Sequence, residues 1–283
     1  MRKGKRWLAA AVSAAMIVQS LASVGPVYAA DDGVSIADTF TDSSFRSYVS
    51  SNFDTDSNGY LSDAEIANVT SIDVSKCSPA ISSLNGVELF TNLSKLDCNE
   101  QSIRNLDIEN LENLEYIDVS SNRIDSLTLP VSAEKLTYLD ISGNKITSLT
   151  SLADYNNLVL LNANSTNLSS IDVSNMKGLK VLGVSGTTIS TLDLGSNMEL
   201  TTLYCDSMRS LPALDVSGHE KLKNLYCAGA KSDSGVVVRS SITKLDVSGD
   251  IALGSLDCSN SYVAELNIDN TPALTTLDCS NTK

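Results

Sequence analysis

Aliphatic residues recur along most of the chain at a fixed spacing. The motif L-x-x-L-x-C occurs nine times, with other small or aliphatic residues at some of its apolar positions. Successive copies begin 21 or 22 residues apart, except for one step of 31. Apolar and polar residues alternate within each copy, which predicts a short strand in every repeat. The first leucines of the copies are Leu93, Leu114, Leu136, Leu158, Leu179, Leu200, Leu222, Leu253 and Leu274.

This period predicts a leucine-rich-repeat solenoid over residues 71–283. One repeat cannot bury its own apolar edge, so neighbouring repeats must stack. We expect the first half of each repeat to form a parallel sheet on the concave side. The second half, as in 189–194 and 242–247, should form extended segments on the convex side, without helices. The long step carries an insertion near 231–240, and the array is expected to be uncapped or truncated at Lys283.

The cysteines follow the same period. In the remaining copies, the sixth motif position holds valine, isoleucine or alanine. A column that exchanges cysteine with such residues is typical of a buried site of modest volume, and we interpret its thiols as reduced. A ladder of disulfides or a metal site is the alternative, since adjacent strands are close enough for a bridge. The column contains Cys98, Cys205, Cys227, Cys258 and Cys279, and Cys77 lies outside it.

The first thirty residues differ in composition from the repeats. A basic start, an apolar run and the small residues of "VYAA" indicate a secretory signal peptide over 1–30. The apolar run is short for a membrane anchor, and no later segment is apolar enough to span. Cleavage would remove four cationic residues and change the formal net charge from −14 to −18. Such a protein should be secreted, or associated with the cell surface, and should not bind nucleic acid through bulk charge.

The stretch "DTDSNGYLSDAE" matches a twelve-residue calcium loop at each patterned position. A hard divalent cation needs six to eight oxygen ligands, and the glycine permits the sharp turn between them. The alternative is an acidic turn that binds nothing. The predicted Ca²⁺ ligands are Asp54, Asp56, Asn58, the carbonyl of Tyr60, Ser62 and Glu65.

Helices are predicted on both sides of this loop. Residues 41–53 have an apolar face, and Ser62 and Glu65 form the pattern of a capping box at the start of the second helix. Such loops usually occur in pairs, and the sequence contains one. We therefore interpret residues 31–70 as a calcium-stabilised helical cap for the open end of the repeat array.

From Phe45 to Lys283 the chain resembles the secreted leucine-rich-repeat proteins of Gram-positive bacteria that are called internalin-like. The resemblance is carried by "FRSYVSSNFDTDSNGYLSDAEIANVTSIDVS", "LTYLDISGNKITSL" and "LDCSN". It implies an extracellular binding protein, but fold-level similarity does not identify a partner. The ninth repeat position, often asparagine in such proteins, is asparagine only at Asn122 and Asn144.

The solvent-facing strand positions offer a candidate ligand surface. Tyrosines beside carboxylates suit sugars or a basic protein patch. The alternative is that tyrosine favours strands and acidic residues oppose aggregation. The candidate ligand-binding residues are Tyr116, Tyr138, Tyr204, Tyr226, Asp97, Asp118 and Asp140.

These features favour a non-catalytic protein that binds an extracellular protein or glycan. A dockerin-like calcium-dependent assembly module, or the non-catalytic part of a larger extracellular enzyme, is the alternative. No catalytic motif surrounds the single histidine, His219, and the paired carboxylates lie in columns expected to be solvated. We therefore predict no enzymatic activity.

Overall fold

A computed structural model describes residues 33–149, 152, 154–231 and 236–283. The predicted signal peptide lies outside the described residues. Gly33–Lys283 forms one unit, and no helix among the described residues is long and apolar enough to cross a membrane.

A ten-stranded parallel sheet, here called the main sheet, runs through the repeats. Each strand has three residues, and equivalent residues of adjacent repeats pair in register, for example Leu96 with Ile117. The predicted leucine-rich-repeat solenoid is therefore confirmed. The strands are Ser71–Asp73, Lys95–Asp97, Tyr116–Asp118, Tyr138–Asp140, Leu160–Asn162, Val181–Gly183, Thr202–Tyr204, Asn224–Tyr226, Ser255–Asp257 and Thr276–Asp278.

The second half of five described repeats forms extended strands, as predicted. Asn105–Asp107 pairs with Ser126–Thr128, and Ala213–Asp215, Lys244–Asp246 and Glu265–Asn267 form a three-stranded parallel sheet. We call these two sheets the second face. The insertion contains the antiparallel pair Ala230–Lys231 and Val237–Val238.

The remaining elements precede or begin the array. They are the antiparallel strands Val34–Ser35 and Tyr60–Leu61, helices α1 (Ile36–Thr39), α2 (Ser43–Asn52) and α3 (Asp63–Asn68), and the 3₁₀ turn Val87–Leu89.

The core consists of stacked apolar columns. In the first eight motif copies, the residues at positions one, four and six are buried, which fits the need of each repeat for a neighbour. All six cysteines are free, and Cys98, Cys205, Cys227 and Cys258 are buried. The expectation of a buried column is wrong at Cys279, which is exposed because no described repeat packs beyond it.

A hydrogen-bonded ladder replaces the incomplete asparagine column. Asn122 Oδ1 accepts from the backbone N–H of Ile103 (3.0 Å), and its Nδ2 donates to the carbonyl of Cys98 (2.8 Å). Gln101 extends the ladder by accepting from Ile81 N–H at 2.8 Å. Where threonine replaces asparagine, as at Thr166, its hydroxyl donates to the carbonyl three residues earlier. The ladder therefore satisfies buried backbone groups with three residue types.

The recurrent "LDVS" and related sequences form turns. The aspartate carboxylate accepts from the backbone N–H two residues later, which forms an Asx-type turn. The turns therefore give a structural reason for the recurrence of these sequences. The aspartates in this role include Asp73, Asp118, Asp140, Asp172, Asp215, Asp246, Asp257 and Asp278.

Three buried polar residues, Asn197, His219 and Asp250, occur at equivalent positions after the second halves of successive repeats. Asp250 Oδ1 accepts from His219 N–H at 2.9 Å, whereas its Oδ2 is buried without a hydrogen-bond partner among the described residues. Burial raises the pKa of Asp250 to about 7. Because the folded protein binds this proton more tightly than the unfolded chain, folding stability should decline as the pH rises from about 4 to 7.

We predict that Asp250→Asn raises the free energy of unfolding at pH 7.5, by about 1–4 kcal/mol, and has little effect at pH 4. The matched control is Asp246→Asn. Hydrogen bonding from the Ser248 hydroxyl lowers the pKa of Asp246, so that substitution should destabilise at pH 7.5. Urea denaturation at both pH values measures the two effects. If Asp250→Asn were less stable than wild type at pH 7.5, that result would contradict the raised pKa of Asp250.

Candidate functional site

The predicted loop lies between two short helices with defined caps. Asp42 caps α2, because its Oδ1 accepts from the N–H groups of Ser44 (2.9 Å) and Phe45 (3.1 Å). Ser62 and Glu65 form the capping box of α3. The local sequence therefore fixes both ends of the loop.

Three of the predicted calcium ligands come together. Oxygens of Asp54, Asp56 and Glu65 lie within 4.8 Å of one another. Asp54 is buried and accepts from the N–H groups of Asn58 (3.1 Å) and Gly59 (3.0 Å). Gly59 has φ +85°, which a side chain would strain. The loop thus gathers three carboxylates around one turn.

Glu65 is already heavily hydrogen-bonded. Its Oε1 accepts from the N–H and hydroxyl of Thr55 (both 2.6 Å), and its Oε2 accepts from the N–H and hydroxyl of Ser62 (both 2.9 Å). The Thr55 hydroxyl and then the Ser62 N–H lower the pKa of Glu65 to about 2. Carboxylate oxygens suit a hard cation, but a cation at Glu65 must share these oxygens with the donors or displace them.

All six ligand assignments remain predictions, including those of Asn58, Tyr60 and Ser62. Asn58 Oδ1 accepts from the N–H of Tyr60 (2.7 Å), and the Ser62 hydroxyl is directed to Glu65. Tyr60 forms a strand and has an exposed side chain. Its carbonyl is the group that the loop pattern assigns to the metal.

Sequence reasoning missed the strand that pairs with the loop. Val34–Ser35 pairs antiparallel with Tyr60–Leu61, and Ile36 N–H donates to the Gly59 carbonyl at 3.1 Å. Gly33 permits this approach, since a Cβ there would lie 2.7 Å from the Leu61 carbonyl oxygen. A strand from the same chain therefore pairs with the end of the loop. Two residues are too short a segment to give a periodic signal.

The helices pack on the first repeat. Phe40 stacks on Phe90 with ring centroids 6.0 Å apart, and Phe53 meets Phe90 edge-on at 5.4 Å. Asp42 Oδ2 accepts from the Ser82 hydroxyl at 2.7 Å. The Tyr48 hydroxyl accepts from Asp73 N–H, at the first strand of the main sheet (3.2 Å). Aromatic and polar contacts thus join the loop segment to the array.

The candidate tyrosines form two stacked pairs on the main sheet. Tyr116 and Tyr138 have ring centroids 4.2 Å apart, and the ammonium of Lys95 lies 5.1 Å from the Tyr116 centroid. Tyr204 and Tyr226 are 4.8 Å apart and nearly parallel. In-register parallel strands align each pair.

The candidate aspartates are less exposed than the sequence suggested. Asp97 is 8% exposed and Asp140 is 9% exposed, so the expectation that they face solvent freely is wrong for these two. Asp140 is covered because Ser142 and Asn162 both donate to its carboxylate. Asp118 is half-buried between them in the same row.

His219 offers no group to a substrate. It is 2% exposed, and its Nδ1 and Nε2 lie 2.7 Å and 3.2 Å from the carbonyl oxygens of Val216 and Leu194. A histidine enclosed by backbone carbonyls packs the interior, and its geometry does not suit general acid–base chemistry.

Comparison with known proteins agrees with this architecture. Residues 112–154 match the family model described as Leucine Rich repeats (2 copies). The chain is similar to an internalin C2 from Listeria monocytogenes (16% identity, 89% of this chain and 97% of that chain covered, TM-score 0.59). It is also similar to an internalin, InlF, from the same species (19% identity, 88% and 92% covered, TM-score 0.56). No curated protein matches the sequence. The chain thus contains leucine-rich repeats and shares the fold of these internalins.

Proposed function

We propose that this protein is a secreted or surface-associated, non-catalytic binding protein that recognises an extracellular protein or glycan through the main sheet. The observation that carries the proposal is the pair of tyrosine stacks, which share one sheet face with the row of aspartates. Tyrosine is enriched in protein interfaces because it offers apolar area together with a hydroxyl group. The similarity to internalin structures supports the fold on which this surface is built.

We also propose that calcium has a structural role in the loop. Asp54, Asp56 and Glu65 would hold the ion, and it would supply positive charge among three carboxylates. The loop contacts the first repeat through α2 and Phe53, so an ordered loop would also hold the end of the array. The residues involved stabilise the cap and take no part in a reaction.

A dockerin-like assembly role has less support. The apolar side of α2 is occupied, because Phe45 and Val49 are fully buried. A docking helix needs an available face, and this one is packed in the protein's own core.

The calcium proposal predicts distinct behaviour for two loop carboxylates. Thermal unfolding of the full chain should occur at a higher temperature in calcium than in EDTA. Asp56→Asn should remove that difference and leave the EDTA midpoint nearly unchanged, because Asp56 is exposed. Glu65→Gln should also lower the EDTA midpoint, since its carboxylate accepts four hydrogen bonds. Asp63→Asn, outside the ligand set, is the control.

An equal calcium response in wild type and Asp56→Asn would place the ion elsewhere. No calcium response in any variant would identify the loop as a turn that binds nothing.

The binding proposal predicts where substitutions act. Arrays of extracellular proteins and of glycans would be probed with wild type and with Tyr116→Ala/Tyr226→Ala. Hits should be lost in this variant and kept in Asp107→Ala/Glu265→Ala, which changes exposed residues of the second face. The reverse result would show that the second face binds and would refute the proposal.

A further inference from the structure

We propose that the partner is a protein, and that a basic amphipathic segment of it lies across the main sheet between the two tyrosine pairs. This inference rests on the proposed function, and it specifies the position and chemistry of the contact. The site consists of the tyrosine pairs, the aspartate row beside Tyr116 and Tyr138, and the two strands between the pairs.

The two strands between the tyrosine pairs carry smaller side chains than tyrosine, and we call the gap they leave the depression. Two strands, Leu160–Asn162 and Val181–Gly183, lie between the strand of Tyr138 and that of Tyr204. Three steps of about 4.8 Å place the strands of Tyr138 and Tyr204 about 14 Å apart across the sheet, and Tyr204 lies two residues further along its strand than the equivalent of Tyr138. An α-helix with its side chains is about 10–12 Å wide. The depression can therefore receive one helix or one extended segment.

The floor of the depression is apolar along one row and polar along the other. Tyr116, Tyr138, Leu160 and Val181 occupy equivalent positions on four successive strands, and all are half-buried. They form a continuous apolar row, which suits the apolar face of an amphipathic segment.

The polar row of the floor is held in place by hydrogen bonds. Asn162 Nδ2 donates to Asp140 Oδ2 at 2.8 Å, and its Oδ1 accepts from Asn164 N–H at 3.1 Å. Gly183 makes room for this amide, because a Cβ there would lie 2.6 Å from Asn162 Oδ1. The depression therefore exists before any partner binds, which lowers the entropic cost of association.

The row next to the apolar row carries negative charge, which is most accessible at Asp73 and Asp118. Asp73, Asp97, Asp118 and Asp140 occupy equivalent positions on adjacent strands. Among the described residues, Lys95 is the cation that pairs with this row, at 3.8 Å from Asp73 and 3.7 Å from Asp97. Burial, and then the charges of Asp118 and Asp73, raise the pKa of Asp97. Like charges on adjacent strands destabilise a sheet, so lysine or arginine from a partner would relieve repulsion that folding leaves in place.

The orientation of the rings favours a protein over a glycan. Sugars stack on exposed aromatic faces, whereas the faces of Tyr116 are covered by Lys95 on one side and by Tyr138 on the other. Tyr204 and Tyr226 each cover one face of the other, so stacking leaves one face of each ring for a sugar or a cation. Tyr226 lies next to Asp257 on the following strand, which suits a cation placed between ring and carboxylate.

The inference is tested with three probes on the full chain. One is a synthetic lysine–leucine amphipathic helix of about four turns, the second is its glutamate–leucine counterpart, and the third is a neutral oligosaccharide, chitohexaose. Calorimetry should show binding of the lysine peptide that weakens with salt, and little binding of the other two. Binding of the lysine peptide should be weaker by about tenfold or more in each of three variants, Tyr138→Ala, Tyr204→Ala and Asp118→Asn.

Matched controls separate this site from general attraction to an acidic protein. Tyr262→Ala removes an exposed tyrosine outside the main sheet, and Asp107→Asn removes a carboxylate from the second face. Both should bind the lysine peptide like wild type. Val181→Arg places a bulky cation in the floor of the depression and should abolish binding without truncating an aromatic pair. Thermal unfolding would verify that each variant folds.

The possible failures are distinguishable. Equal binding of both peptides, or equal losses in the control variants, would overturn the inference. Binding of chitohexaose that depends on Tyr138 or Tyr204 would overturn the protein assignment and leave the main sheet as the binding surface. Array hits that depend on the second face would refute the proposed function itself.

Discussion

The burial of each repeat's leucines against the next repeat is the constraint on which the rest of the structure depends. Three-residue strands are too short to be stable alone, and they persist because eight successive copies bury positions one, four and six in continuous columns. The in-register pairing follows from this stacking, because a shift by one residue would exchange the buried and exposed faces. The stacking therefore also fixes which side chains reach the surface.

The proposed binding surface is a consequence of that register. Since equivalent residues lie about 4.8 Å apart on adjacent strands, two tyrosines at the same position must stack, and aspartates at the same position must form a charged row. The Asx turns and the Asn122 ladder satisfy the backbone where each strand ends. The stacked repeats thus form a rigid frame, and folding does not dictate which residue types occupy its solvent-facing strand positions.

Sequence periodicity was sufficient to predict the fold and the placement of the tyrosines, because both depend on a motif that occurs nine times. It could not predict features that occur once. The pairing of Val34–Ser35 with the loop depends on two residues, and Gln101 joins the ladder although its residue type breaks the pattern. The burial of Asp97 and Asp140 depends on neighbours such as Asn162, whose contacts appear only in three dimensions.

If calcium acts at the loop, as proposed, stacking of the repeats should carry order from the loop segment into the array. Hydrogen exchange on the full chain, with and without calcium, tests it most directly. We predict slower exchange in calcium at residues 54–65 and at Ser71–Asp73, with a smaller effect at each following strand and little at Asn224–Tyr226. Equal slowing of hydrogen exchange in all ten strands would contradict this expectation. So would slowing that begins at the strands that carry the tyrosine pairs.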